Sequence, residues 1–366
     1  MSLLYCTSIY YPSPYANRIQ IIAMARAFNK ILNEDFILGG RSIILGNCSK
    51  DNEKISVVNL PGSLHSYILS LKYLFYLKQN PRINIVYARE ERLLFFIILY
   101  NKLFFKLKLK FVYESHGVPN NDHRLFAYLV RSVDRIIVLT SPLKRKILEL
   151  YKLEENKIMV APDGVESKYL NYNVLKNEAR SKVGLPIDKS IVMYTGSFFN
   201  FAWKGVDVVL DSLKDFDNET IFVLVGGTAD EIRLVMEKYK SSNLILVENV
   251  EHELIFNYLK SADILLLPNK SGNDYSEYYT SPMKLFEYMV SKVPIIASNL
   301  PSIRDILNEN NSVLVKPNSS TELTLAIRKL LTDSVVSIRL SEQAFVDVQN
   351  YTWDKRAEHI IKFLSL

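Results

Sequence analysis

A chain of 366 residues, 48% apolar, 23% charged and 11% aromatic, is too long for one ordinary domain and too rich in core-forming side chains for disorder, so two globular domains are expected. Only two cysteines, Cys6 and Cys48, and no basic-then-apolar leader point to a reducing cytoplasm. The longest apolar run, 93–100, is under half of the roughly 20 residues a spanning helix needs.

The net charge of +6 is unevenly placed: up to Arg180 there are 26 Lys and Arg against 15 Asp and Glu, and beyond it 19 against 24. The basic half calls for an anionic neighbour, either a phosphorylated substrate or acidic lipid headgroups. No zinc-finger, RNA-recognition or basic-zipper pattern is present, so nucleic acid is not an expected partner.

Short β-branched runs alternate with amphipathic segments throughout, the pattern of α/β folds with parallel sheets covered by helices. Strands are predicted at 3–9, 55–60, 83–87, 110–114, 135–139 and 157–161, and a second series at 190–195, 220–225, 243–247, 263–267, 294–297 and 312–315. An Asn-, Lys- and Glu-rich stretch at 166–189 separates the two series. The expected domains are therefore 1–166 and 167–349, followed by a closing helix at 350–366 with Trp353, Ile360, Ile361 and Phe363 on one stripe, packing back on the first domain.

In open parallel sheets, ligands bind beyond the carboxyl ends of the strands. In the first half, His116 follows a strand within Glu114-Ser115-His116-Gly117. In the second, Tyr194-Thr195-Gly196-Ser197 precedes Lys204-Gly205, where a glycine admits a ligand to the backbone and a lysine neutralises phosphate. Leu224-Val225-Gly226-Gly227 ends another strand. The segment Ser281-Pro282-Met283-Lys284-Leu285-Phe286-Glu287 predicts a helix capped by Ser281 with Pro282 first inside it, an anion-binding start. Glu287 shares a stripe with Met283, Phe286 and Val290, which aims its carboxylate at the buried face; a structural ion pair with an internal Lys or Arg is the alternative. Asp215-Phe216-Asp217 matches a metal-binding DxD but is expected at a helix end before a strand, and the histidines and cysteines lack metal-ligand spacing. No metal site and no cofactor are expected.

In order along the chain, Tyr11-Pro12 with Ala16-Asn17-Arg18, Val86-Tyr87-Ala88-Arg89, Glu114 to Gly117, Pro162-Asp163-Gly164-Val165, Tyr194-Thr195-Gly196, Lys204-Gly205, Gly226-Gly227, Ala262-Asp263-Ile264 and Ser281-Pro282 to Glu287 resemble the family 4 glycosyltransferases. The resemblance implies the GT-B fold, two Rossmann-like domains facing each other across a deep cleft, and a retaining transferase. Its donor would be a nucleotide-diphosphate sugar and its acceptor a glycan or lipid-linked hydroxyl in surface polysaccharide biosynthesis, without a metal. It implies a donor site at Gly196, Ser197, Lys204, Tyr279 and the helix start at Ser281, Pro282, Met283 and Lys284, with the diphosphate on that start, ribose on Glu287, and His116 near the reacting sugar as the catalytic residue. Ala16, Asn17 and Arg18 would contact acceptor or phosphate.

Two departures are visible. Tyr279 stands eight positions before Glu287, where the family has its first glutamate, with Glu277 out of register, and Ser197 stands where many members carry arginine. The missing glutamate leaves a non-catalytic GT-B binding module as one alternative, and a sugar-nucleotide 2-epimerase is another. Segments 67–79 and 93–111 interleave aromatic residues with Lys72, Lys78, Lys102, Lys106, Lys108 and Lys110, which predicts attachment to an anionic membrane at the inner face of the plasma membrane; ordinary sheet-covering helices are the alternative.

Overall fold

The computed structural model describes residues 1–11, 16–43, 55–61, 65–119, 123–198 and 202–366. Cys48 and most of the loop before Arg18 lie outside them; Ala16, Asn17 and Arg18 open the helix Ala16–Leu32. The chain divides into two units, Met1–Asp163 with Trp353–Leu366, and Gly164–Thr352.

The first unit is built on the strands β1 (Leu3–Cys6), β3 (Phe36–Gly40), β5 (Ser56–Asn59), β6 (Ile85–Ala88), β7 (Lys110–Ser115), β8 (Arg135–Val138) and β9 (Ile158–Val160), and the short β2 (Tyr10–Tyr11) and β4 (Ser42–Ile43) pair separately. Its main sheet is parallel throughout, in the order β5-β3-β1-β6-β7-β8-β9. The order reverses at β1 and β6, the switch point of a doubly wound sheet.

β3 is absent from the sequence reading because its Gly39-Gly40 ending resembles a turn. A Cβ on Gly39 would lie 2.5 Å from the Tyr73 ring, so this glycine permits close helix-on-strand packing. β1 ends at Cys6, short of the expected 3–9.

The second unit holds β10 (Ser190–Thr195), β11 (Thr220–Gly227), β12 (Leu244–Glu248), β13 (Ile264–Leu267), β14 (Ile295–Ser298) and β15 (Val313–Val315), all parallel, in the order β12-β11-β10-β13-β14-β15. Both faces are buried, as the period of two requires. Val192, Tyr194, Phe222, Leu224, Ile264, Leu266 and Ile296 enter one core layer, while Ile191, Met193, Val223, Val225, Leu265, Leu267 and Ile295 enter the other. The polar stretch after Glu166 is not a linker: Tyr169 and Leu185 join the second core, and buried Arg180 reaches Asp263 at 2.7 Å and the Ser261 carbonyl at 2.9 Å.

The closing helix is Trp353–Leu364. Its buried face carries Trp353, Arg356, Ala357, Ile360 and Leu364, whereas Ile361 and Phe363 are half-buried.

Candidate functional site

At the carboxyl end of β10, Gly196 adopts φ +124°, a conformation that L side chains rarely take. A Cβ there would sit 3.7 Å from Lys284 Nζ. That ammonium donates to the Thr195 carbonyl at 3.1 Å and lies 3.9 Å from the centre of the Tyr194 ring. From the turn before the helix Val206–Ser212, Lys204 Nζ donates to Ser197 Oγ at 2.6 Å. Burial holds the Lys284 amine well below its ordinary range, and the nearby Lys204 charge depresses it further, against a weaker pull from Glu287. Burial likewise lowers Lys204. Two partly desolvated cations beside a glycine-lined strand end suit an anion, which would relieve both.

The helix below this point is Met283–Val290, one residue later than expected. Pro282 is its cap, with φ −74° and ψ 127°, and makes no side-chain cap hydrogen bond, so the Ser281 N-cap and Pro282 first-turn assignments are corrected. A proline cannot supply a capping side-chain oxygen, so the start is left to other hydrogen-bonding groups.

Leu285, Phe286, Tyr288, Met289 and Val290 form the buried face. Met283, Lys284 and Glu287 share a half-buried one. The carboxylate therefore does not enter the core, as its stripe suggested, and its partner is neither lysine nor arginine: Glu287 Oε1 accepts from His252 Nε2 at 2.7 Å. That hydrogen bond raises the His252 pKa against the opposing effect of burial. His252 escaped the sequence reading because a histidine opening an amphipathic helix carries no signature.

In the first unit, Glu114 and His116 stand at and beyond the end of β7. His116 Nε2 donates to Glu114 Oε1 at 2.7 Å, and Arg89 Nη2 lies 3.2 Å from Nδ1. Both ring nitrogens are thus engaged, with the proton on Nε2 because guanidinium can only donate. Burial foremost, then the Arg89 charge, brings the His116 pKa down to about 4 despite the Glu114 bond. Burial alone would raise Glu114, but Arg356 and His116 hold it well below the usual carboxylate range. Arg356 pairs with Glu114 Oε2 at 3.2 Å and donates to the Ala161 and Pro162 carbonyls; Tyr87 hydroxyl also donates to Glu114. Arg356 was not singled out in the sequence because its charge looks like a solvated helix face.

Residues 49–169 match the model for Glycosyltransferase Family 4, and residues 189–333 match that for glycosyl transferases group 1. The chain belongs to glycosyltransferase family 4.

TuaC of Bacillus subtilis, a glycosyltransferase assigned to teichuronic acid biosynthesis, is 22% identical over 66% of this chain and 60% of its own length. A D-inositol 3-phosphate glycosyltransferase of Acidothermus cellulolyticus is 22% identical over 67% of this chain and 56% of its own. The chain thus spans under two thirds of the length of these relatives. In fold it superposes on Anabaena HepE, crystallised in complex with UDP, with a TM-score of 0.80, 14% identity and full coverage of both chains. The two doubly wound units are the Rossmann-like domains of the GT-B fold.

Tyr279, read from the sequence as standing where family 4 has its first glutamate, is buried, with its hydroxyl 3.4 Å from Asp274 Oδ2. Glu277 accepts from the Gly272 amide within the same turn. Just beyond β13, Asn269 is buried with neither amide atom hydrogen-bonded among the described residues, a polar orphan the sequence did not flag. Ser197 carries no charge and instead receives the Lys204 ammonium. Asp215 and Asp217 lie before β11, at the amino ends of the strands, where Thr324 donates to Asp215 and the Glu219 amide to Asp217.

Proposed function

We propose that this family 4 protein transfers a sugar from a nucleoside diphosphate to a glycan or lipid-linked hydroxyl in surface polysaccharide synthesis, with retention at the anomeric carbon and without a metal. The observation that carries this reading is the convergence, at the switch point of the second sheet, of Gly196, Lys204, Lys284 and the helix starting at Met283, with Glu287 one turn farther along. Solved HepE complexes with UDP and UDP-glucose support a nucleotide-sugar donor.

In this reading Lys204, Lys284 and the helix start take up the charge that develops on the departing diphosphate, a role fixed cations and dipoles can fill. Glu287 accepts from the ribose hydroxyls. The acceptor oxygen bonds to the anomeric carbon on the face the diphosphate leaves, and its proton passes to a phosphate oxygen. His116, assigned as catalytic from the sequence, is hydrogen-bonded at both nitrogens with its proton turned to Glu114, so in this reading it orders the end of β7 rather than relaying a proton.

The test is a panel of nucleotide sugars assayed in excess EDTA for nucleoside diphosphate release and glycosylated acceptor. Turnover undiminished by EDTA is expected. Epimerised donor without transfer, absence of any turnover, or activity restored only by manganese or magnesium would each reject it.

We also propose attachment of the first unit to anionic membranes. Most of segments 67–79 and 93–111 does cover the sheet: Tyr73, Leu74, Leu93 and Ile97 are buried on the helices Ser66–Gln79 and Glu91–Tyr100. Their ends do not. Phe75, Leu103 and Phe104 are 58%, 55% and 69% exposed, and the Phe75 and Phe105 rings lie 5.2 Å apart, joining the helix to the turn Asn101–Phe105. Lys78, Lys102, Lys106, Lys108 and Lys110 are exposed around or beside them. Apolar tips ringed by lysines suit insertion into headgroups, at about 1 kcal/mol per basic residue near an acidic leaflet. No helix among the described residues is long and apolar enough to cross a membrane. Flotation with phosphatidylserine vesicles at low salt is expected, and Phe75→Ser with Phe104→Ser should abolish it; equal recovery on neutral vesicles refutes the attachment.

A further inference from the structure

Glu287 is held by a chain of two donors drawn from two separate elements. Tyr169, in the turn Ser167–Asn171, places its hydroxyl 3.5 Å from His252 Nδ1. His252, first in the helix His252–Ser261, turns Nε2 to Glu287 Oε1 at 2.7 Å. The Tyr169 ring is fixed in turn, stacked on Phe256 with centroids 3.6 Å apart. As a carboxylate Glu287 can only accept, so the imidazole carries a proton on Nε2, and in the neutral ring Nδ1 accepts from the Tyr169 hydroxyl. The histidine consequently donates to Glu287 whether neutral or charged. Glu166 and Glu253 act on it from one side and Lys284 acts on the carboxylate from the other.

We infer that the Tyr169–His252 pair is the positioning device of the nucleotide site, occupying one oxygen of Glu287 so that the carboxylate plane is fixed and the other oxygen is presented to a vicinal diol. His252 and Tyr169 are thereby determinants of ribose recognition without touching the ligand. The inference rests on the assignment of ribose to Glu287. A glutamate side chain free to rotate forfeits much of its contact with the diol to the entropy of freezing it, and here that freezing is done before the ligand arrives.

The experiment titrates UDP, GDP and ADP, each against its 2′,3′-dideoxy counterpart, into the wild type, His252→Ala, His252→Gln and Tyr169→Phe, with inorganic pyrophosphate as control. Wild type is expected to prefer the ribose form about 10- to 100-fold, the range for hydrogen bonds to a charged group. In His252→Ala the ratio should fall to about threefold or less with pyrophosphate affinity unchanged, while His252→Gln, which can still donate, recovers most of it. Tyr169→Phe keeps the stacked ring and loses only the hydroxyl, so an intermediate ratio is expected even if His252→Ala does not fold. Absence of any ribose preference in the wild type overturns the Glu287 assignment and the inference with it. A wild-type ratio retained in Tyr169→Phe and in folded His252→Ala overturns the inference alone.

Discussion

Replacing Arg356 with methionine is expected to lower the melting temperature by roughly 10 °C. Arg356 and Glu114 are each 4% exposed at the side chain and 3.2 Å apart, and removing one member of a buried pair strands the other charge, at a cost of about 3 to 5 kcal/mol. The guanidinium Nη1 also contacts Met24 sulfur at 3.0 Å, so a methionine fills the volume and the loss is chiefly electrostatic. The double variant Arg356→Met/Glu114→Gln should recover much of the deficit, because no unpaired charge remains.

The pH dependence has a definite sign. Glu114 is held well below its ordinary 4.5 by Arg356 and His116, so the stability it contributes is present above that value and is lost as pH falls through the lower, folded-state one. In Arg356→Met burial is left to raise the Glu114 carboxyl, so the gap between wild type and variant should be widest at pH 8 and narrow toward pH 5 as the stranded carboxylate takes up a proton. Thermal unfolding across that range decides it; a change of less than about 2 °C at neutral pH would mean that the pair is not stabilising.

The second large effect is expected on ligand binding rather than on folding. Glu287→Gln keeps the shape of the side chain and loses the charged acceptor, so nucleoside diphosphate affinity should drop about tenfold or more while the melting temperature moves little. The His252 donor can still reach the amide oxygen, which protects the fold. Calorimetric titration of UDP, GDP and ADP with both proteins checks this. Wild-type affinity in the variant would remove Glu287 from the nucleotide site.

Much of this molecule is legible in its sequence. Burial of β10, β11 and β13 on both faces appears as short apolar runs, and the strand-end glycines and Lys204 stand where doubly wound sheets bind ligands. What escaped has a common cause. β3 looks like a turn because it ends in two glycines, of which Gly39 makes room for Tyr73, a neighbour distant in the chain. The Ser281 and Pro282 assignments moved by one residue because the chain remains extended at the proline, and cap positions vary on that scale. His252 and Arg356 were silent because their meaning lies in partners 35 and 242 residues away. Local propensity reports the element and its exposed ends; it does not report which long-range polar partner an element meets.

That separation of 242 residues between Glu114 and Arg356 bears on biosynthesis. When β7 leaves the ribosome, Glu114 has no arginine from the closing helix to neutralise it, and the whole of the second unit must be translated before one arrives. Domains otherwise tend to fold in the order in which they emerge. Here the amino-terminal domain is begun first and finished last, and until then Glu114 awaits the counter-ion beside which it is buried.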